Sequence, residues 1–255
     1  MRRTIRPMPP RQSPPTPAPD GLATVDPSAS ERIAAWAAAV GVDVSDPKVR
    51  LVLHATLLFA EHGFDAVTTR EICAAAGTNP GAIHYHFGDK SGLYREVVLR
   101  PLQHMAQAFA GFDDPSLDLP TALDRFLTPF LSTDDCGGPD PIRLYLRELL
   151  DPSEVFTQAL QTHIGPNHHA LARLLARHIG VAEPDAGVHQ LAYAIVAMAH
   201  DYCLSRPFMD ALTPRLLDDD PELRALRRRL VGWSVALVAA EREARATAPS
   251  SSALP

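Results

Sequence analysis

The sequence predicts an all-α protein. Only 6% of its 255 residues are aromatic, whereas alanine and leucine recur throughout, and this composition favours helices over strands. Apolar residues repeat at helical spacing between proline and glycine breaks, and no segment shows the pattern of a strand. The apolar fraction of 46% is enough to fill a core. We therefore expect a fold built from packed helices alone.

Cysteine content and hydropathy argue against several classes of protein. The three cysteines, Cys73, Cys136 and Cys203, are far apart and form no C-x-x-C pair, which argues against a disulfide framework or a thiolate zinc site. The N-terminal "MRRTIRPMPPRQSPPTPAP" lacks the apolar run of a secretory signal, and "LAYAIVAMAHDYCL" is too short to span a bilayer. We expect a cytoplasmic protein with no cofactor and no membrane partner.

The two ends of the chain are predicted to be disordered tails. Residues 1–27 hold a third of the prolines together with several arginines, and 246–255 is a second tail poor in packing residues. Residues 28–45 are predicted to form a short docking helix and a linker to the main domain. The apolar stripe of that helix consists of Ile33, Trp36, Ala37 and Val40.

The region 46–100 is predicted to form a head of three helices followed by the start of a fourth. Asp46 and Pro47 are typical of a helix start, and Thr68 with Glu71 three residues later forms a capping box for the second helix. Gly77 then turns the chain. Two short helices joined by a tight glycine turn make a helix-turn-helix.

The third helix is predicted to begin at Asn79 and Pro80 and to have two different faces. Ile83 and Phe87 lie four residues apart and point inward. The opposite face is left for a groove and consists of Pro80, Gly81, His84 and Gly88. A helix with such small residues on one face fits against a large surface, and the major groove of DNA admits a helix of this kind.

The fourth helix, "GDKSGLYREVVLRPLQHMAQAF", contains Pro101, and an interior proline predicts a kink between two parts of the protein. Beyond it, the region 101–245 is predicted to be a helical domain. Its helices are expected at roughly 121–131, 141–150, 153–164, 166–179, 185–205 and 221–245.

The head resembles the helix-turn-helix of TetR/AcrR-family transcriptional regulators over residues 48–98. The segment "LLFAEHGFDAVTTREICAAAGTNPGAIHYHFGDKSGLY" carries the resemblance in uninterrupted register. The matching residues are Phe59, Ala60, Gly63, Phe64, Thr68, Thr69, Ile72, Ala76, Gly77, Gly81, Tyr85, His86, Phe87, Lys90 and Leu93. The resemblance implies a homodimer that binds a double-stranded DNA operator of two-fold symmetry.

The same resemblance implies which residues contact DNA. They are Thr68, Thr69, Arg70, Asn79, Pro80, Gly81, Ala82, His84, Tyr85, His86 and Lys90. His84 stands where the family usually has a phosphate-contacting tyrosine, and Pro80, Gly81 and Ala82 bring no side-chain donor or acceptor to the bases. Arg70 is therefore the best candidate for a bidentate bond to guanine, and DNA shape is expected to supply much of the specificity.

The charge of the head predicts weak non-specific DNA binding. The whole chain has a formal net charge of −6, and lysines and arginines balance acidic residues between 46 and 100. The cluster "RALRRRL" in the last helix is better explained as a charged helix face than as a nucleic-acid patch.

The segment 144–180 resembles the C-terminal domain of the CecR-type branch of this family. That resemblance suggests a regulator of efflux or transport genes and does not name the ligand. The region 101–245 is expected to bind an apolar or amphipathic small molecule and to dimerise, and the layout of the chain predicts that the ligand loosens DNA binding. The expected pocket residues are Phe126, Phe130, Arg143, Tyr145, Glu148, Phe156, His163, Tyr193 and Met198. The expected dimer interface is formed by Leu191, Ile195, Leu226, Leu230, Trp233 and Leu237. The alternative for the aromatic pocket residues is that they are plain core.

The sequence also allows two other classes of function to be compared with regulation by a ligand. An enzyme would use His84 or His86 as a base, but the nearest acid, Asp89, belongs to a helix start. A ligand-insensitive architectural or silencing DNA binder would have a filled C-terminal domain. A metal site at His163, His168 and His169 is not expected, because carboxylates at ligand spacing are missing from the sequence there.

Deletion of residues 1–20 is predicted to weaken operator binding, because the arginines of this tail would add phosphate or minor-groove contacts. A titration of the full-length and shortened proteins with operator DNA at low salt measures the effect. Equal affinity of the two proteins would contradict the prediction.

Overall fold

The computed structural model describes residues 31, 33–34, 37–38, 41–131, 139–217, 220 and 223–247, and all regular secondary structure within them is helical. The prediction of an all-α protein is therefore confirmed. Tail 1–27, Trp36, Val40, Cys136 and the last residues, 248–255, lie outside the described part.

The head comprises three helices and continues into a long fourth one. They are α1 (Pro47–His62), α2 (Thr69–Ala75), α3 (Ala82–Phe87) and α4 (Lys90–Ala108). The body comprises α5 (Leu119–Leu131), α6 (Pro139–Leu150), α7 (Glu154–Ala159) with a π-helical turn (Leu160–Ile164), α8 (Gly165–Ile179), α9 (Ala186–Leu204), α10 (Arg206–Leu212) and α11 (Arg224–Thr247). The sequence did not predict α10, and α4 continues through Pro101 as one helix.

Helix α1 is buried on nearly all sides, as its almost continuous apolar sequence "LVLHATLLFA" requires. One side faces the head core, and Leu53 and Leu57 on another side pack against Ile33 and Ala37 of the preceding segment. Helix α6 of the body packs along the remaining side. The first helix is thus the element that the N-terminal segment, the head and the body all share.

Side-chain caps start most helices of the head. Asp46 accepts a hydrogen bond from the backbone N of Lys48, and Thr68 and Glu71 form both halves of the capping box. Helix α3 differs from the prediction, because it begins at Ala82 and not at Pro80. The side-chain oxygen of Asn79 accepts from the backbone N of Gly81 at 2.8 Å, so Asn79 shapes the turn before the helix and does not cap it.

Two apolar cores lie on either side of the middle of α4. The head core contains Phe59, Ile72, Ile83 and Leu93, and it extends to Phe156 of the body. The body core is formed by α5, α8, α9 and α11. Arg245, in the last turn of α11, joins this helix to the start of α9. Its guanidinium donates to both carboxylate oxygens of Asp185, the N-cap of α9, at 2.7 and 2.8 Å. These bonds hold the pKa of the Asp185 carboxyl well below its usual range.

Half of the expected dimer-interface residues lie in the core of their own chain. Ile195, Leu226 and Leu230 are buried within the body because they belong to the inner stripe of α9 and α11, and Leu191 is half-buried against the same core. Trp233 and Leu237 belong to the outer stripe and are exposed. For Ile195, Leu226 and Leu230 the expectation is corrected, because these side chains are covered by their own chain. For Trp233 and Leu237 an interface role stays a prediction.

The expected pocket residues differ widely in burial and in the part of the body where they lie. Phe126 is buried and stacks on Phe109 in the body core, whereas Arg143 and Tyr193 are exposed. Met198 is half-buried against the body core and His163 is half-buried in the π-helical turn. Phe130, Tyr145 and Phe156 belong to one group of neighbouring aromatic rings that also includes His200. Glu148 instead contacts Tyr94 of the head.

Candidate nucleic-acid interface

The second and third helices present a continuous exposed surface. Most of the residues expected to contact DNA are exposed on it, and Ala82, His86 and Lys90 are half-buried. The exposed ones are Thr68, Thr69, Arg70, Asn79, Pro80, Gly81, His84 and Tyr85. Ile83, on the opposite side of α3, is buried in the head core and anchors the helix. The surface is therefore held rigidly from behind while its front remains free for a partner.

Tyr85 and His84 project most clearly from α3. The side chain of Tyr85 is 83% exposed, with its ring 4.9 Å from the ring of His86. Nδ1 of His84 lies 2.7 Å from the backbone oxygen of Gly88. A carbonyl oxygen only accepts, so Nδ1 carries the proton and Nε2 is left as an acceptor in the neutral ring. A protonated ring would donate from both nitrogens, as a phosphate contact requires.

A cleft of about 410 Å³ lies between α3 and the start of α1. It brings together Asn79, Gly81, Ala82, Tyr85 and His86 from the expected set. Four further lining residues were missed by sequence reasoning: Pro47, Arg50, Gly77 and Thr78. Arg70, His84 and Lys90 do not line it. The expected DNA-contacting residues thus divide between a cleft beside α1 and the outer edges of α2 and α3.

Arg50, on α1, bonds to two other backbone segments beside this cleft. Its Nε donates to the carbonyl oxygen of Ala76 at 2.9 Å, and its Nη1 donates to those of Val44 and Ser45 at 3.0 and 2.8 Å. The turn between α2 and α3 is thereby tied to the linker before α1. A positive charge in the first turn of a helix is unfavourable to the helix dipole. The position of Arg50 there is the sequence feature that could have indicated a role for its side chain outside α1.

Lys90 makes contacts within the head that the resemblance does not imply. Its Nζ donates to the backbone oxygens of Phe64 and Val67 at 2.9 Å each and lies 4.3 Å from the centroid of the Phe64 ring. An ammonium group has three donors, so at most one remains for a phosphate. Lys90 therefore joins the start of α4 to the turn between α1 and α2. Its phosphate contact stays a prediction that rests on the one remaining donor.

Arg70 lies exposed in the first turn of α2, next to a carboxylate that is already engaged. Glu71 accepts from the backbone N and the hydroxyl of Thr68 at 2.7 Å each, and these bonds lower the pKa of its carboxyl. The Glu71 carboxylate is therefore used in the capping box. The guanidinium of Arg70 is exposed and offers five N–H donors on this face of the head.

The cleft is lined by small, amide, hydroxyl-bearing and aromatic residues and by Arg50. Among the described residues that line it, none is acidic and none is a serine or cysteine, so His86 has no orienting carboxylate or strong nucleophile there. Within the residues that the structure describes, no three His, Cys, Asp or Glu side chains are arranged to hold a metal ion. His168 and His189 instead hydrogen-bond each other through Nε2 and Nδ1 at 3.0 Å.

A short exposed helix, anchored from behind and joined by a glycine turn to a second capped helix, defines a helix-turn-helix DNA-binding protein. The family model for bacterial regulatory proteins of the tetR family matches residues 52–97. The model for the C-terminal domain of the HTH-type transcriptional dual regulator CecR matches residues 115–240. The chain belongs to the tetR family of transcriptional regulators.

Relatives of known name agree with this assignment. The HTH-type transcriptional dual regulator CecR of Shigella flexneri is 30% identical over 165 residues, which are 58% of this chain and 72% of that protein. The HTH-type transcriptional repressor AcnR of Corynebacterium glutamicum is 33% identical over 69 residues, which are 27% of this chain and 37% of that protein. These relatives are named as regulators of transcription and not as enzymes.

Solved structures show the same fold. A putative transcriptional regulator from Pseudomonas aeruginosa PAO1 superposes with a TM-score of 0.57 at 21% identity, over 77% of this chain and 90% of that one. A tetR-family transcriptional regulator from Streptomyces coelicolor superposes with a TM-score of 0.54 at 20% identity, over 80% and 85% of the two chains. In the described part of this chain, no helix combines the length and apolarity needed to cross a membrane.

The substitution Lys90→Met is expected to destabilise the head by about 1–3 kcal/mol, because two backbone oxygens lose a charged donor. Urea unfolding followed by circular dichroism measures this loss. Arg95→Met is the matched control, since Arg95 is an exposed cation on the same helix. Equal stabilities of the two variants would show that the inward contacts of Lys90 contribute nothing.

Proposed function

We propose that this protein is a repressor that binds a two-fold symmetric DNA operator as a homodimer and is released by a small molecule. The observation that carries the proposal is the exposed surface of α2 and α3, where Tyr85 and Arg70 project from helices that are anchored from behind. Relatives named as repressors support repression as the direction of regulation.

In the proposed complex, α3 enters the major groove and the edges of the surface contact phosphates. Tyr85 donates its hydroxyl to a phosphate, and His84 does so from its free nitrogen when protonated. Thr69 is exposed at the start of α2, where a hydroxyl and the first backbone N–H groups suit a second phosphate. The phosphate contacts therefore come from α2 and α3, with little left to Lys90.

Base reading in this complex rests on few groups. Gly81 and Ala82 offer no side-chain hydrogen bond, but they let the backbone of α3 approach the bases closely. Arg70 supplies the bidentate donor for one guanine, and the remaining discrimination comes from the shape and deformability of the operator.

The homodimer is proposed to form on the outer stripe of α9 and α11. Trp233 is 47% exposed and Leu237 38% exposed on α11, and Tyr193 is 63% exposed on α9. Gly232 and Ala236 lie beside the tryptophan, and a Cβ built at Gly232 meets nothing within 4 Å. Large apolar side chains next to small residues suit the close packing of two helix pairs.

The effector is proposed to act at a cluster of aromatic rings between α5, α6, α7 and α9. The ring of His200 lies 6.4 Å from that of Phe130 and 5.5 Å from that of Tyr145, which in turn lies 5.9 Å from Phe156. Burial lowers the pKa of His200 below its usual value of 6.5 and keeps the ring neutral. Such surroundings suit an apolar or amphipathic molecule with one polar group.

The substitution Arg70→Ala is expected to remove the preference for guanine at one position of each half-site, at a cost of about 1–3 kcal/mol. Binding to the operator and to its single-base variants, followed by fluorescence anisotropy at one salt concentration, measures this preference. Arg95→Ala is the control, because it also removes an exposed cation from the head. An unchanged base preference in the Arg70 variant would contradict the proposed reading.

The substitution Trp233→Glu is expected to turn the dimer into a monomer, since two carboxylates would meet near the two-fold axis at a cost of several kcal/mol. Sedimentation velocity measures the association state, and operator binding should fall with it. Phe208→Glu, at an aromatic residue that is 66% exposed on α10, is the matched control. A Trp233 variant that stays dimeric would exclude this face.

A further inference from the structure

A buried hydrogen bond joins the head to the body. Tyr94 of α4 donates its hydroxyl to Oε1 of Glu148 on α6, and Oε2 of the same carboxylate accepts from the backbone N of Ser153 at 2.8 Å. The Glu148 side chain is only 3% exposed. A buried carboxylate is costly unless its oxygens are satisfied, and here each oxygen has a donor. Neither DNA contact nor effector binding, as proposed above, uses this group.

The two partners of this bond belong to different units of the protein. The ring of Tyr94 is part of the head core, with centroids 5.0 Å from Phe59 and 4.8 Å from Phe64. Its hydroxyl bonds to α6, whose Leu144 packs into the same core. Burial, followed by the bond to Glu148, raises the pKa of Tyr94, so the hydroxyl keeps its proton and remains a donor. The bond therefore links the two units and does not merely stabilise one of them.

The neighbouring residue on α6 holds a second helix of the head. Nη2 of Arg147 donates to the backbone oxygen of Glu61 in the last turn of α1 at 3.3 Å, where a cation suits the helix dipole. Gly63 makes room for this contact, because a Cβ at that position would lie 2.8 Å from Nη1 of Arg147. Helix α6 thus contacts α1 and α4 through adjacent residues, and two such contacts restrict rotation of the head.

The other side of Glu148 is coupled to the aromatic cluster. Ser153 is the N-cap of α7, so the bond from its backbone N fixes the corner between α6 and α7. Tyr145 lies one turn before Glu148 on α6 and touches both His200 and Phe156. Any displacement of α6 or of this corner therefore changes the position of the carboxylate that holds Tyr94.

We propose that Glu148 is a positioning residue that sets the angle of the head on the body, and that it thereby determines which half-site spacing the homodimer accepts. This inference rests on the proposed function, since it presupposes a dimer that reads two half-sites. One added base pair moves a half-site by about 3.4 Å and rotates it by about 34–36°. A head held at two points cannot follow that movement without breaking a buried hydrogen bond.

The test compares operators that differ only in spacing. The full-length protein first selects a duplex from a random DNA library, and variants of that duplex then carry one or two extra base pairs between the half-sites. Tyr94→Phe removes the hydroxyl but keeps the packed ring, and Glu148→Leu removes both acceptors. In both variants, the ratio of Kd for the altered spacing to Kd for the selected spacing is expected to fall about fivefold or more.

Two further variants separate positioning from loss of stability. Glu148→Gln keeps an acceptor for Ser153 and offers an amide donor to the Tyr94 oxygen, so its spacing ratio should stay close to that of the wild type. Ile72→Val weakens the head core away from α6 and should lower affinity for every spacing alike, leaving the ratio unchanged. Circular dichroism checks that each variant is folded.

The outcomes distinguish the inference from the proposed function. A folded Tyr94→Phe protein that keeps the wild-type spacing ratio overturns the role of Glu148, while operator binding itself stands. A wild-type protein that selects no duplex overturns the proposed function, and the inference with it. A lowered ratio in Tyr94→Phe and Glu148→Leu, together with a retained ratio in Glu148→Gln, supports the positioning role.

Discussion

The short length of α3, the helix proposed to enter the major groove, is the constraint that determines how the head is built. Helix α3 has six residues, and an isolated helix of that length is unstable in water because too few hydrogen bonds follow its nucleation. Its position has to come from its surroundings. Ile83 anchors it in the head core, Asn79 shapes the turn that leads into it, and Arg50 ties the preceding turn to the linker before α1. The exposed face, which includes Gly81, His84 and Tyr85, therefore does not have to anchor the helix in the core.

The same requirement for support explains the arrangement of the first and fourth helices. Helix α1 is covered by the N-terminal segment, by the head core and by α6, so it carries the position of the head relative to the body. Helix α4 belongs to both units, with Tyr94 in the head core and Ala106 accepting from Asn167 of α8 at 3.3 Å. A change in the body reaches the DNA-binding surface through these two helices, because α6 contacts both.

Local rules were enough to identify the helix-turn-helix. The capping box of Thr68 and Glu71 and the Asp46 cap before Pro47 each depend on residues only a few positions apart, and the structure shows both of them. Local rules failed at Asn79. The pair Asn79 and Pro80 predicted a helix start, but Asn79 shapes a turn and the helix begins only at Ala82. They also carried no information about the inward bonds of Lys90, whose side chain donates to carbonyls 23 and 26 residues earlier in the chain. A long flexible side chain finds partners that sequence spacing does not reveal.

The sequence by itself determined the all-α class, the helix-turn-helix and the family, because these follow from helical periodicity, caps and a motif in continuous register. Tertiary structure decided which apolar residues are core and which are free. Leu226 and Leu230 share a stripe with Trp233 and Leu237 in the sequence pattern, yet only the last two are exposed, since the α5 and α9 neighbours cover one side of α11. It also decided that Glu148, an expected pocket residue, joins Tyr94 across 54 positions of chain. Contacts at that separation depend on how helices pack, and periodicity within one helix carries no information about them.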